Sequence, residues 1–304
     1  MHRKIIIGVC LLALLMGMAG LLANNFMTPT VGICLNSATE SLAKALQDTL
    51  VIANYNVKMK DTPSSQEELL QQIRSMLDED VDVLVVAPTE ESSVEEILKI
   101  ALETPVIFIG QEPESLGNAY FAGPDRAAPG KLQAQLITQL YSVADINQDK
   151  SVDCLVLSGP EGAADALSHA REIGAVLSAS DSLGDVLETV FCEDSAAAAQ
   201  KACATALSKY GRDLELILCA SEQLAMGALS AIRKSGRVPG RDVLVISCGA
   251  SELIMESLVQ GTLAATVTVS SEAIVSNIVS TVKSLAKGRA TPQKNYTDYT
   301  AVFA

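Results

Sequence analysis

The stretch Val81-Asp-Val-Leu-Val-Val-Ala87, followed by Val94–Leu102 and then by Val106-Ile-Phe-Ile-Gly110, decides the fold. The first and last runs are short, apolar and rich in β-branched residues, which suits strands buried on both faces. Between them, apolar residues recur at helical spacing until Pro105 ends the segment. A strand, a helix and a second buried strand form a βαβ unit, and that unit implies a parallel sheet.

The same alternation extends outward in both directions. Upstream, Val31–Leu35 and Val57–Lys60 read as strands. Thr39–Asn54 is a helix with Leu42, Leu46 and Leu50 on one face. Ser64/Ser65 followed by Glu67 and Glu68 is a capping-box start for a helix running to Asp78. Downstream, Ala119–Ala122, Val152–Leu157, Val186–Cys192, Leu214–Cys219, Val243–Ser247 and Ala264–Val269 read as strands. The helices between and beyond them are Ala127–Tyr141, Ala163–Leu177, Ala196–Lys209, Gln223–Ser235, Ser251–Gln260 and Glu272–Leu285. About ten strands in one sheet is uncommon, so two sheets of about five, each in its own lobe, suit the length better. With 49% apolar residues but only 4% aromatic ones and no Trp, the core falls to Ala, Val, Leu and Ile.

The formal net charge of −14 repels phosphate backbones and argues against nucleic acid as a partner. His2, Arg3 and Lys4 precede an uncharged apolar run, Ile5–Ala23. Its length favours an uncleaved membrane anchor, with a cleaved signal as the alternative, and the basic flank puts the rest of the chain outside the cytoplasm. Cys10 lies within the run rather than after it, so lipidation is not expected. The other six cysteines, at positions 34, 154, 192, 203, 219 and 248, form no CxxC or Cys/His cluster. They read as small buried hydrophobes, with a disulfide between neighbouring strands as the alternative.

Ligands of open α/β sheets sit beyond the carboxyl ends of the strands. The loops of interest are therefore Asn36–Glu40, Pro88–Glu91, Gly110–Glu112, Pro160–Asp165, Ser221–Gln223 and Gly249–Glu252. One further loop carries metal chemistry. Asp145, Asn147, Asp149 and Asp153 stand at positions 1, 3, 5 and 9 of a turn, with the carbonyl of Ser151 at position 7. That spacing wraps oxygens around a hard cation such as Ca2+. Lys150 occupies the place where an EF-hand has Gly, and position 12 is Val156 rather than Glu. Catalytic templates are missing: there is no GxSxG, HExxH, P-loop or GxGxxG opening a helix. Ser41-Leu-Ala-Lys44 lacks the companion motifs of an S-x-x-K enzyme. Asp165 and His169 share a helix face with no nucleophile placed beside them. No enzymatic activity is expected.

In this order, the segments resemble those of the type I periplasmic binding proteins, most closely the galactose/glucose-binding branch. The likeness runs from Val31 to Thr291. It is carried by Val31-Gly-Ile-Cys34, Asp82-Val-Leu-Val-Val-Ala-Pro88, Val106-Ile-Phe-Ile-Gly-Gln-Glu112-Pro113, Tyr120-Phe-Ala-Gly123-Pro-Asp125, Gly159-Pro-Glu-Gly162, Ala225-Met-Gly-Ala228 and Gly261-Thr-Leu-Ala-Ala-Thr-Val267. The resemblance implies two Rossmann-like α/β lobes with parallel sheets. After an anchor and linker in 1–30, the N-terminal lobe would comprise 31–122 and 270–292, and the C-terminal lobe 123–269 and 293–304. Crossings fall near Gly123, Val269 and Tyr296. It also implies that a distant Glu closes the calcium shell, and this Glu falls on Glu215.

The positions that hold a sugar in the family correspond here to Glu40, Leu42, Gly110, Ala163, Asp165, His169, Ala196, Ser221, Gly249 and Val269. Only Asp165 is retained, Glu40 is a near match, and both aromatic plates are replaced, by Leu42 and Ala196. Either the ligand differs or the pocket has degenerated. The ligand-binding residues expected are Glu40, Gln111, Asp165, His169, Arg171, Ser221 and Glu222. The function implied is that of a monomeric solute-binding component of an ABC importer, taking a small polar ligand and docking on a permease. The alternative is a tethered sensor that reports ligand occupancy to a membrane receptor.

Overall fold

The computed structural model describes residues 28–180 and 183–304. The basic, apolar N-terminal segment with Cys10 lies outside the described residues. Among those described, no helix is long and apolar enough to cross a membrane. The chain forms two compact units. One extends to Ala122 and takes in Val275–Asn295; the other is Gly123–Ile274 with Tyr296–Ala304. The divisions fall at 122/123, 274/275 and 295/296, against 122/123, 269/270 and 292/293 in the sequence reading.

The N-terminal unit contains strands β1 (Thr30–Cys34), β2 (Asn56–Met59), β3 (Val83–Val86), β4 (Val106–Phe108) and β5 (Tyr120–Pro124). Helices α1 (Ala43–Ile52), α2 (Gln66–Leu77) and α3 (Ser93–Ala101) connect them. A sixth strand, β11 (Lys294–Thr297), completes the order β11-β5-β4-β3-β1-β2. The pairs β1–β2, β1–β3, β3–β4 and β4–β5 are parallel. Every residue of β3 is buried, as a central parallel strand requires. The capping box forms one step along from its first serine. Ser65 Oγ accepts from Glu68 N, and the Glu68 carboxylate reaches back to the N–H and hydroxyl of Ser64.

The C-terminal unit contains β6 (Cys154–Ser158), β7 (Val186–Phe191), β8 (Leu216–Cys219), β9 (Leu244–Cys248), β10 (Ala265–Thr268) and β12 (Thr300–Phe303). Its helices include α4 (Ala128–Ala144), α5 (Ala164–Ser178), α6 (Ala196–Tyr210), α7 (Glu222–Lys234) and α8 (Glu252–Val259); α9 (Ser271–Leu285) follows β10. Strand order is β12-β10-β9-β8-β6-β7. Only β12 runs antiparallel to its neighbour. Two sheets of six therefore replace the expected two of about five. The added strands β11 and β12 are edge strands whose residues are largely exposed or half-buried. β11 is polar, and β12 offers only the short run Ala301-Val-Phe303, less than the longer runs that reveal the central strands. The six described cysteines are free thiols, four of them buried.

One buried polar network holds the C-terminal unit together beneath its strand ends. Gln133 of α4 is fully buried. Its Nε2 donates to the carbonyls of Cys219, at the end of β8, and Ser247, near the end of β9, at 2.9 and 3.0 Å. With its nitrogen so used, Gln133 Oε1 accepts the Nε2–H of His169, 2.9 Å away; His169 Nδ1 in turn accepts the Ser158 hydroxyl, also at 2.9 Å. The network needs α4 and α5 in close contact. Gly130 permits this, because a Cβ there would collide with the backbone carbonyl of His169.

Burial holds the His169 imidazole down to about 4, from an ordinary 6.5. Folded protein therefore keeps it neutral, while the unfolded chain takes up a proton as the pH falls below 6.5. Stability is expected to drop by ~3 kcal/mol between pH about 6.5 and about 4 through this group. Denaturant titrations across that window should show a flatter acid limb for His169→Gln than for the parent. Gln133→Leu strands two buried carbonyls and a histidine nitrogen, and should cost about 3 kcal/mol at neutral pH by the same measurement.

Candidate functional site

Parallel strands bring their carboxyl ends to one edge, and in the C-terminal unit that edge holds a cavity of about 560 Å³. Its walls come from the residue before the N-cap of α6 (Asp194), the loops after β8 (Ala220–Gln223) and β9 (Cys248–Ala250), the end of β10 (Thr268, Val269), and Tyr299. Because β12 is antiparallel to β10, the residue preceding it sits at this same edge.

The wall is fixed by helix capping. Ser221 is the N-cap of α7 and accepts from Leu224 N at 3.2 Å; its hydroxyl donates to Asp194 Oδ1. Glu222, the first residue of α7, turns to the neighbouring loop, where Oε1 accepts the Ser251 N–H at 2.8 Å. Gly249 makes that contact possible. Its φ is +115°, and a Cβ there would overlap the Glu222 carboxylate. The Cys248 thiol is pushed up to about 12, first by burial and then by the Glu222 charge. The Tyr299 phenol is raised above its ordinary range, first by burial and then by the negative charges around it, Asp165 and Asp125 included.

The expected ligand residues divide. Ser221 and Glu222 line the cavity. Asp165 is largely exposed and paired with Arg126 at 2.8 Å. His169 does not reach the edge: it is 3% exposed, with both ring nitrogens engaged inside the unit. Arg171, two residues further along α5, points away; its side chain is 71% exposed and paired with Glu172. In the N-terminal unit, Glu40, which opens a short 3-10 helix after β1, and Gln111, in the loop after β4, are exposed at the carboxyl edge of that sheet. There Asn36 Nδ2 donates to Pro88 O at 2.8 Å, and the buried Thr39 packs its methyl against Gly110. Glu112 beside them pairs with Lys294 at 2.6 Å. Asp194, Ala220, Cys248, Thr268 and Tyr299 are the lining residues that the sequence reading missed. Asp194 had one available signal, its place directly before the N-cap Ser195.

The second candidate site is the loop that follows α4. Glu215 is 1% exposed, just before β8. Its Oε1 accepts the N–H groups of Ile146 (2.6 Å) and Asn147 (2.8 Å), and Oε2 accepts that of Asp153 (3.3 Å). Desolvation raises its pKa despite those three donors. Carboxylate oxygens of Asp145, Asp149 and Glu215 lie within 4.8 Å of one another. The rest of the loop is a ladder of side-chain turns. Asn147 Oδ1 accepts from Asp149 N, Asp149 Oδ1 from Ser151 N, and Asp153 Oδ1 from the Ser151 hydroxyl. Gln148 (φ +64°) and Lys150 (φ +74°) are both left-handed, the conformation for which an EF-hand keeps Gly. Asp145 Oδ1 is buried with no hydrogen-bond partner among the described residues. An orphaned carboxylate oxygen beside a buried, desolvated Glu, in an all-oxygen donor set, fits a hard dication.

The periplasmic binding protein domain model matches residues 22–290. Over 205 residues the chain is 25% identical to the D-galactose/methyl-galactoside binding periplasmic protein of Haemophilus influenzae, covering 63% of this chain and 61% of that one. It is 23% identical over 224 residues to the D-ribose/D-allose-binding protein of Pseudomonas aeruginosa, covering 71% and 65%. The matched stretch thus spans somewhat under two thirds of each relative. Among solved structures, the periplasmic ribose ABC transporter from Conexibacter woesei superposes with a TM-score of 0.77 at 16% identity, over 91% of this chain and 92% of the other. At that identity the likeness shows the fold: two α/β lobes of the type I class. The chain belongs to the periplasmic binding protein domain family, a family of extracytoplasmic binding proteins rather than enzymes.

Proposed function

We propose that this chain is a monomeric receptor for a small, polar, sugar-like solute, working with an ABC permease. The observation that carries the reading is the cavity at the strand ends of the C-terminal unit, walled by capped helix starts rather than by catalytic groups. Ser221, Glu222 and Asp165 are the ligand contacts assigned to that unit, and Glu40 and Gln111 those of the N-terminal one. Relatives named for D-galactose, D-ribose and D-allose support a polyhydroxylated ligand and favour transport over sensing. Small or aliphatic side chains (Ala163, Ala196, Gly249, Val269) stand at the positions that grip a hexose in the galactose/glucose branch, so the solute is held differently here. A thermal-shift screen of pentoses, hexoses, polyols, nucleosides and small acids is expected to give a hit among the polyhydroxylated compounds. No shift from any of them would sink the reading.

Ca2+ is the second element of the proposal, held by Asp145, Asn147, Asp149, the Ser151 carbonyl, Asp153 and Glu215. Its role is structural: it would neutralise a buried carboxylate and tie the start of β8 to the end of α4. Calcium added to metal-stripped protein is expected to raise the melting temperature, chelator to lower it, and Glu215→Gln to remove the response. Equal melting temperatures with and without calcium would refute the site. Lys150→Gly relieves a left-handed side chain and should stabilise the metal-free protein by about 1 kcal/mol, read from denaturant midpoints.

A further inference from the structure

Between β8 and β9, the sheet of the C-terminal unit stops where the cavity begins. Their parallel register runs Leu216↔Leu244, Ile217↔Val245, Leu218↔Ile246 and goes no further. Beyond it, β8 stays paired with β6 as far as Cys219, and β9 with β10 as far as Cys248. The last residues of β8 and β9 are thus held on their outer sides and share no ladder pair with each other. A side chain from a helix joins them instead: Cys219 O and Ser247 O both accept from one nitrogen, Gln133 Nε2, at 2.9 and 3.0 Å. Gln133 interrupts the apolar face that α4 lays on the sheet, beside the buried Ala134, Leu136 and Ile137. A fully buried amide is costly unless its polar atoms are matched, and these are. His169 Nε2 takes up the amide oxygen and so keeps the nitrogen turned to the strands, while the Ser158 hydroxyl fixes the other side of the ring. One network therefore reaches three strand ends: Ser158 of β6, Cys219 of β8 and Ser247 of β9. The segments that leave them carry Asp165, then Ser221 with Glu222, then Gly249.

We infer that Gln133, oriented by His169, is a positioning residue of the solute site: it sets the separation of the cavity walls after β8 and β9, and with it the affinity for solute. This role rests on the solute-binding reading above. Gln133 does not line the cavity; the facing walls are Ala220–Gln223 and Cys248–Ala250, each of which begins one residue after a carbonyl that Gln133 holds. The two loops meet a second time where Glu222 Oε1 accepts the Ser251 N–H. Each wall is thus fixed at its base by Gln133 and further out by Glu222. An apolar side chain at position 133 would fill the space but give the two carbonyls no donor. The strand ends could then part, and solute would have to order the walls as it binds, at the expense of affinity.

Lost stability alone does not separate a positioning residue from a simple tie in the fold, but the affinity of the folded protein does. Calorimetric titrations of the full chain, run well below the lowest melting temperature, use whichever of D-ribose, D-allose and D-galactose binds the parent, or else the compound found in the wider thermal-shift screen. Gln133→Met keeps length and loses the amide, and is expected to weaken binding at least about tenfold. Leu177→Ala empties a buried position at the other end of α5; it should lower the melting temperature yet leave affinity within about twofold of the parent. Should Gln133→Met fail to fold, Ser158→Ala carries the test. It leaves Gln133 in place, frees one side of the His169 ring, and is expected to weaken binding about threefold. Unchanged affinity in Gln133→Met, or in Ser158→Ala where that variant stands in, would overturn the inference and leave the solute-binding reading standing. So would Leu177→Ala weakening binding as much as Gln133→Met does, because affinity would then simply follow stability. No binding of any sugar by the parent, with no shift in the wider screen, would overturn both.

Discussion

A parallel sheet covered by helices has both faces closed to water, so its polar chemistry is pushed to the line where the strands end. Both sheets of this protein obey that constraint, and the rest of each unit follows from it. The helices bury the faces, and their N-termini arrive together at the carboxyl edge. Each must then have its N–H groups satisfied. Ser195, Ser221 and Glu222 do so, and in doing so they shape the cavity wall. Capping and ligand geometry are one set of contacts here, which is why small residues such as Gly249 count for as much as charged ones.

Most of this architecture was legible in the chain. Runs such as Val83–Val86 can only be central strands, and the alternation with helical periodicity leaves little choice but parallel pairing. The strand-end rule then located the loops containing Ser221, Glu222 and Gly249 without any coordinates. The edge strands were not legible, because Lys294–Thr297 and Thr300–Phe303 bury too little to need an apolar pattern. Nor was the fate of His169. Its helix position looked outward-facing beside Asp165. Its actual partners, Gln133 and Ser158, come from another helix and a strand end that only the tertiary fold brings near. A polar residue on a helix can be a ligand or a buried tie, and the difference lies in neighbours that local sequence does not contain. Arg171 failed for a simpler reason: two residues from His169 on a helix is a different face.

The loop after α4 shows a different limit. Its oxygen spacing was readable, but the group that organises it, Glu215, lies 69 positions from Ile146, whose N–H it accepts. Only family resemblance linked the two. The structure adds the cost of the arrangement: two left-handed side chains, an unpartnered Asp145 oxygen and a buried carboxyl with a raised pKa. These are local penalties that nothing within the loop itself repays.

The N-terminal unit is closed by a segment that arrives late. Gln293 donates to the carbonyl of Ala119 from 174 positions away, and its own carbonyl receives the N–H of Phe121. During synthesis, the first sheet must therefore wait with β5 as an unprotected edge while Gly123–Ile274 of the second unit is made. Loop closure over that distance is slow, and an open parallel edge invites pairing with other chains. The N-terminal sheet therefore stays one strand short until residues 294–297 have been made.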